Sequence, residues 1–259
     1  MAQIGSRICI IGAGNVATHL AMALSESACV CQVVSRHIET AGRLADMVGG
    51  GCLASDNLDE LLPDADFYLI SVNDDHVAEI VAGTPDFPGI WAHTSGSVPA
   101  DVFKGYKSRY GVFYPLQTFT RDLDVDVSEV PFFIEGVGRD VCDALISLAN
   151  SISRSVEEAD SSRRKVLHLA AVFACNFANL MWVEADEILR SEGLTINYLM
   201  PLLKVTLGKL RDISPAEAMT GPARRHDTDI IESHLAMLPP DKRKIYRLLS
   251  DAIMDKFGK

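Results

Sequence analysis

A mostly parallel α/β sheet domain followed by an all-helical C-terminal domain is the fold class this sequence predicts, on three observations. Short apolar runs alternate with helix-period segments through the first part of the chain. A glycine turn sits directly after the first of those runs. From about Glu157 no further strand is convincing, and the rest reads as helices. The expected division is 1–155 for the sheet domain and 156–259 for the helical one.

The first strand is the apolar run 8–11, and Gly12-Ala13-Gly14-Asn15-Val16-Ala17 follows it at once. An apolar helix pattern then runs through Leu24, and a second strand, residues 29–34, closes on Ser35-Arg36. Strand, glycine turn, helix and strand on this schedule make the first unit of a Rossmann-type dinucleotide site. Gly12 permits the tight exit from the strand. Gly14, lacking a Cβ, lets a pyrophosphate approach the backbone, and Ala17 keeps the helix close to the sheet. The N–H groups at Asn15 and Val16 open the helix and offer partial positive charge to phosphate.

The residue after the second strand selects between nicotinamide cofactors. A carboxylate there binds the ribose hydroxyls of NAD, whereas an arginine suits the extra phosphate of NADP. Here the order is Val34-Ser35-Arg36-His37, with no carboxylate. Ser35 can hydrogen-bond phosphate and Arg36 can pair with it, so NADP is expected.

Residues 38–48 read as a helix stopped by three glycines, 53–54 as a short strand, and 57–62 as a helix with Asp56 as its cap. The dense apolar run 66–72 is the fourth strand. Its carboxyl end carries Val72 and Asn73, placed to line the cofactor. His76, just beyond, reads as an exposed first-turn residue of the helix at 77–81 rather than as a catalytic base. Residues 89–93 form a fifth strand. The loop after it puts Ser95 and Gly96 where substrate or nicotinamide would be touched, with Ser97 as a helix cap ahead of Pro99. Strands at 111–114 and 131–135 and a helix at 139–151 complete the sheet domain.

Helices are expected at 162–192, 196–213, 227–238 and 241–257. The first carries a polar stripe. At about 100° per residue, with His168 at zero, Lys165 falls near 60°, Asn176 near 80° and Asn179 near 20°. Buried polar groups need partners. The stripe is therefore either a substrate wall, with His168 or Lys165 giving a proton and Asn176 orienting a carbonyl or imine, or a set of bonds to neighbouring helices or a twin subunit. Farther on, Arg224 and Arg225 could take a substrate carboxylate or simply neutralise nearby acids, and Asp227 could cap the next helix.

Composition bounds the rest. Hydrophobic residues at 48% and charged ones at 23% describe an ordinary globular chain. A net charge of −11 argues against nucleic acid as a partner. The six cysteines show no metal-type spacing and several read as small buried hydrophobes, so no metal is expected and a reducing compartment fits. Residues 1–5 leave no room for a signal peptide. The apolar stretch 166–182, interrupted by His168, Asn176 and Asn179, reads as too short and too polar to span a membrane. A cytoplasmic protein is expected.

Four segments together resemble a known family: Gly12 to Ala17, Tyr114-Pro115-Leu116-Gln117-Thr118-Phe119, the run His168 to Phe177, and Gly221-Pro222-Ala223-Arg224-Arg225-His226-Asp227. The chain resembles Rossmann-like reductases whose C-terminal half is a domain of unknown function. That group is similar to pyrroline-5-carboxylate reductases, deazaflavin-dependent NADP reductases and the hydroxyisobutyrate and 6-phosphogluconate dehydrogenases. The resemblance implies a 6-phosphogluconate-dehydrogenase-like helical domain that builds a homodimer, and an active site in the cleft between domains. It does not supply the substrate. The hydroxy-acid dehydrogenases carry a catalytic lysine four residues before an asparagine, and here that position is Val172, so their mechanism does not transfer. The leading expectation is an NADP-dependent oxidoreductase acting on a small C=O or C=N substrate held between Ser95, Gln117, His168 and Asn176. The competing ones are a non-catalytic NADP-binding sensor or partner protein, and a deazaflavin as hydride partner.

Overall fold

A computed structural model describes residues 5–258. Eight strands form one sheet: β1 (Arg7–Ile11), β2 (Cys29–Val34), β3 (Leu53–Ser55), β4 (Phe67–Ile70), β5 (Ile90–His93), β6 (Tyr110–Pro115), β7 (Phe132–Gly136) and β8 (Val156–Glu158). Their order across the sheet is 3-2-1-4-5-6-7-8. The first six are parallel, β7 is antiparallel to β6, and β8 is parallel to β7. Strands β4, β5 and β6 are buried along their whole length, which is why they read as unbroken apolar runs.

Helices cover both faces. On one, Ile8, Ile10, Leu69 and Phe113 pack with α1 (Asn15–Ser25), α2 (Ile38–Val48) and α4 (Arg139–Asn150). On the other, Cys9, Ile70, Trp91, Val112 and Tyr114 pack with α3 (Asp74–Gly83) and with Leu167 of α5 (Ser161–Ala171). The connection leaving β1 and the one leaving β4 therefore go to opposite faces. Between those strands lies the switch point at which such sheets bind ligands.

Several local expectations change. β8 was not anticipated: it is a three-residue edge strand with one apolar residue, held to β7 through main-chain bonds such as Phe132 N to Ser155 O at 2.8 Å. Residues 57–62 hold only a 3₁₀ turn, Leu58–Glu60, capped by the Asn57 side chain and not by Asp56. Ser97 caps no helix, since Pro99 directly precedes the 3₁₀ turn Ala100–Phe103.

The long helix is not uniform. It starts after Asp160, whose carboxylate accepts from Arg163 N, and runs as α5, a π-helical segment Val172–Phe177, and α6 (Ala178–Ser191). A π turn closes i to i+5, so a constant 100° step does not hold from Val172 to Phe177. The angles computed for Asn176 and Asn179 do not carry through it. The whole helical run, Ser161–Ser191, is 31 residues with a window of mean hydropathy 1.7. By length and composition it could cross a membrane, so shortness is no argument against that. None of that window is buried among the described residues.

The chain divides into two compact units, Met1–Cys175 and Asn176–Lys259, later than the division expected at 155. The second unit contains, beyond α6, the helices α7 (Met200–Lys209), α8 (Pro215–Ala218), α9 (Thr228–Met237) and α10 (Pro240–Phe257), and no strand among the described residues. Its small core is Ala223, Ile231 and Leu235 against Tyr246, Ile253 and Met254. Lys242 of α10 ties to Glu184 and Glu187 of α6.

Candidate active site

The glycine turn is built as a phosphate cradle. Gly12 has φ +121, and a Cβ on it would lie 2.0 Å from the Ser71 carbonyl oxygen. β1 meets both neighbours here: Ser71 N, just past β4, donates to Ile11 O at 2.7 Å, and Gly12 N donates to Val34 O of β2 at 2.7 Å. At Gly14 a Cβ would meet nothing within 4 Å, so the backbone is open to approach. α1 begins there with no side-chain cap and no acid in its first turn. Its free N–H groups and positive end are left for an anion. These features fit a dinucleotide pyrophosphate. Ala17 is fully buried under the turn, and Val16 is half-buried.

A loop that the sequence left unassigned lies over this turn. Asn15 Nδ2 donates to Phe119 O at 3.0 Å, and Arg121 Nη2 to Ala13 O at 2.7 Å. His19 stacks on Phe119 with ring centroids 4.8 Å apart. Asn15 is thus an anchor for residues 119–121 as well as the first residue of the helix. Nothing local in the sequence marks Arg121, because its acceptor lies 108 residues earlier.

At the other end of the cradle, Ser35 Oγ is 3.1 Å from Thr40 Oγ1, and Arg36 Nη1 is 3.4 Å from His76 Nε2. His76 Nδ1 lies 3.6 Å from Glu79. His76 therefore stands in the first turn of α3 beside Arg36. Val72 is half-buried, and Asn73 is exposed at the start of α3.

The loop after β5 is clamped from behind. Ser95 Oγ accepts from Ser97 N and Val98 N, each at 3.0 Å, and Ser95 N donates to His93 Nδ1 at 3.2 Å. Ser95 thus shapes the loop. Arg164, fully buried, donates to Val98 O at 2.6 Å and pairs with Glu135, which also accepts from Ser161 Oγ at 2.8 Å. Burial, with the Arg164 charge adding to it, pushes His93 down to about 3, so its ring is neutral when it accepts from Ser95.

Gly96 then presents bare backbone to two side chains. A Cβ there would fall 2.7 Å from His168 Nδ1 and 2.8 Å from Tyr114 Cζ. The Tyr114 hydroxyl lies 3.2 Å from His168 Nδ1. Burial raises the Tyr114 pKa, Arg164 opposes that and Asp74 adds to it. The structure thus brings Ser95, Gly96 and His168 together, and adds Tyr114. The sequence had marked Tyr114 only as part of a resembling segment. Lys165 is exposed, and the Gln117 side chain accepts from its neighbour Thr118 N at 2.8 Å.

In the second unit, Arg224 donates to Phe257 O at 3.3 Å and its guanidinium lies 5.0 Å from the Phe257 ring centroid. It closes the last turn of α10. Arg225 sits 3.9 Å from Asp227, and Asp227 makes no capping bond to α9. No group of side chains suited to a metal occurs among the described residues. Cys9, Cys31 and Cys142 are buried, the first two with sulfurs 3.8 Å apart and free thiols, while Cys29 and Cys175 are exposed.

A doubly wound sheet with a phosphate cradle at its switch point, followed by a helical unit, defines a Rossmann-type nucleotide-dependent enzyme class. Residues 7–90 match the family described as NADP oxidoreductase coenzyme F420-dependent, and residues 130–253 the one described as a domain of unknown function, DUF2520. A solved structure called a putative NADP oxidoreductase, from Bacteroides fragilis, is 40% identical with a TM-score of 0.90, over 97% of this chain and 98% of that one. A 1-pyrroline-5-carboxylate reductase from Streptococcus pyogenes shares the fold at a TM-score of 0.67 and 11% identity, over 98% and 99%. A reductive aminase from Aspergillus terreus, in complex with NADPH and ethyl-5-oxohexanoate, does so at 0.65 and 14%, over 98% and 92%. No curated protein matches the chain by sequence. The chain belongs to the NADP oxidoreductase family of the Bacteroides protein.

Proposed function

We propose that this oxidoreductase reduces a small carbonyl or imine compound, with His168 giving the proton. The observation that carries the reading is the Tyr114–His168 pair resting on Gly96 at the carboxyl ends of β5 and β6, where such sheets take their ligands. Gly12, Gly14 and the opening N–H groups of α1, from Asn15 to Ala17, would hold the pyrophosphate. Ser35 and Arg36 would hold the 2′-phosphate, and Val72, Asn73 and Gly96 would line the remainder. NADPH, when bound, supplies the hydride. As the substrate carbon gains hydride, His168 Nε2 hands a proton to its oxygen or nitrogen, and the other ring nitrogen takes one up in exchange.

The test is an NADPH titration followed by turnover on a panel of ketones and cyclic imines. His168→Ala is expected to lower kcat by roughly 10²- to 10⁴-fold while leaving NADPH affinity unchanged. Absence of NADPH binding at millimolar concentration rejects the whole reading. NADPH binding without turnover of any carbonyl, imine or deazaflavin would favour the non-catalytic sensor.

We also propose that the helical unit forms a homodimer. Neither α6 nor α7 has a buried residue, and Trp182, Val183, Leu202, Val205 and Leu207 are all exposed. Contiguous apolar surface beyond a few hundred Å² marks an interaction site. Sedimentation velocity should give a species of twice the chain mass at micromolar concentration, and a monomer there would reject the dimer.

A further inference from the structure

We propose that Tyr114 is the positioning residue for His168: its hydroxyl donates to Nδ1 and fixes the imidazole as the Nε2–H tautomer, and as the Nε2 proton passes to substrate the hydroxyl proton passes to Nδ1, the phenolate then being reprotonated from solvent. This rests on the reading of His168 as proton donor, and it names a residue that reading does not use.

Four observations support it. Strand β6 is buried on both faces, and its alternation puts Tyr110, Val112 and Tyr114 on the face that Leu167 of α5 covers. Tyr114 reaches His168 from that strand, one turn of α5 away from the buried Arg164. Tyr114 is 7% exposed and its hydroxyl is 3.2 Å from Nδ1. The hydroxyl can donate to Nδ1 or accept from it, and donation is the arrangement that leaves the ring hydrogen on Nε2, the edge turned away from Tyr114. A neutral imidazole that accepts at one nitrogen carries its hydrogen on the other.

The pair also has little room to rearrange. The edge-on contact of the two rings, centroids 6.2 Å apart, backs onto Gly96, where even a methyl group would overlap both. Gly96 cannot recede, because its loop is tied by the Ser95 hydroxyl on one side and by Arg164 at Val98 on the other. His168 Nε2 has no hydrogen-bond partner among the described residues, and the ring is half-buried, so that edge is the one left for a substrate. The charged groups acting on Tyr114 are Arg164 and Asp74, of opposite effect.

The tautomer is measurable without turnover. Long-range ¹H–¹⁵N correlation spectra of the full-length ¹⁵N-labelled protein report which ring nitrogen of each histidine carries hydrogen, and His168→Gln assigns the resonance. Wild type should show His168 as Nε2–H, and Tyr114→Phe should shift it to a mixture of both tautomers. In parallel, Tyr114→Phe should lower kcat by roughly 10²-fold, within the range of a lost acid–base contribution, with the NADPH dissociation constant unchanged. Adding it to His168→Gln should cost nothing further. An Nδ1–H tautomer in wild type, or an unchanged spectrum in Tyr114→Phe, would overturn the proposal even with turnover intact. The expected spectra together with full turnover of His168→Gln would overturn it differently, by removing His168 from proton transfer while leaving the hydrogen bond real.

Discussion

Arg164→Met is expected to destabilise the sheet unit by about 3–5 kcal/mol, the usual cost of breaking one side of a buried ion pair. The guanidinium is fully buried, and with it go the pair to Glu135, the bond to Val98 O and the bond to Ser161. Among the described residues Glu135 then keeps the Ser161 hydroxyl as its hydrogen-bond partner. Because the Glu135 side chain is 21% exposed, water can reach it and the lower end of the range applies. For a unit of this size that is a fall in melting temperature on the order of 10 °C. Glu135→Gln combined with Arg164→Met should recover part of the loss, since no carboxylate is then stranded. Thermal unfolding followed by circular dichroism checks both, and a single mutant melting within about 2 °C of wild type would show the pair to be dispensable. The same substitution also frees Val98 O, so the loop that supports Gly96 should loosen before the unit unfolds.

The parts of the fold that were legible in sequence are those whose cause is local. α2 spans Ile38–Val48 as its periodicity implied, because one face carries Ala41, Leu44 and Ala45 into the core and Gly49 adopts a positive φ at the end. The parallel strands showed as apolar runs because both faces are covered. β8 escaped because an edge strand needs only main-chain partners, and Val156-Glu157-Glu158 has no pattern to offer. The π segment escaped because its residues, Val172 to Phe177, are those of any apolar helix. The site shows the same divide. Gly12, Gly14 and Arg36 belong to one local motif. Tyr114 meets His168 across 54 residues of sequence and Arg164 meets Glu135 across 29, so only the packed sheet brings them together. Ser95 was placed correctly at a strand end, but its hydroxyl is engaged in shaping the loop, which no spacing rule reveals.

Gly12→Ala and Gly14→Ala should fail in different ways, and the difference tests whether the turn is a cofactor site. At Gly12 the added methyl meets Ser71 O at 2.0 Å, a backbone atom of the strand junction that cannot swing aside, and φ is +121. The turn must shift, at a cost of about 1–3 kcal/mol for the backbone angle alone. Melting temperature should drop, and NADPH affinity should fall by roughly 100-fold, equivalent to about 3 kcal/mol. At Gly14 a methyl meets nothing of the protein within 4 Å. That variant should melt like wild type, yet lose roughly tenfold or more in NADPH affinity, about 1.4 kcal/mol or above, because the methyl occupies the space a pyrophosphate needs. Melting curves with and without NADPH, alongside a fluorescence titration, separate strain in the protein from exclusion of the ligand. If Gly14→Ala binds NADPH as tightly as wild type, the open side of this turn is not where the phosphates lie. The free N–H groups of α1 would then need another anion to explain them.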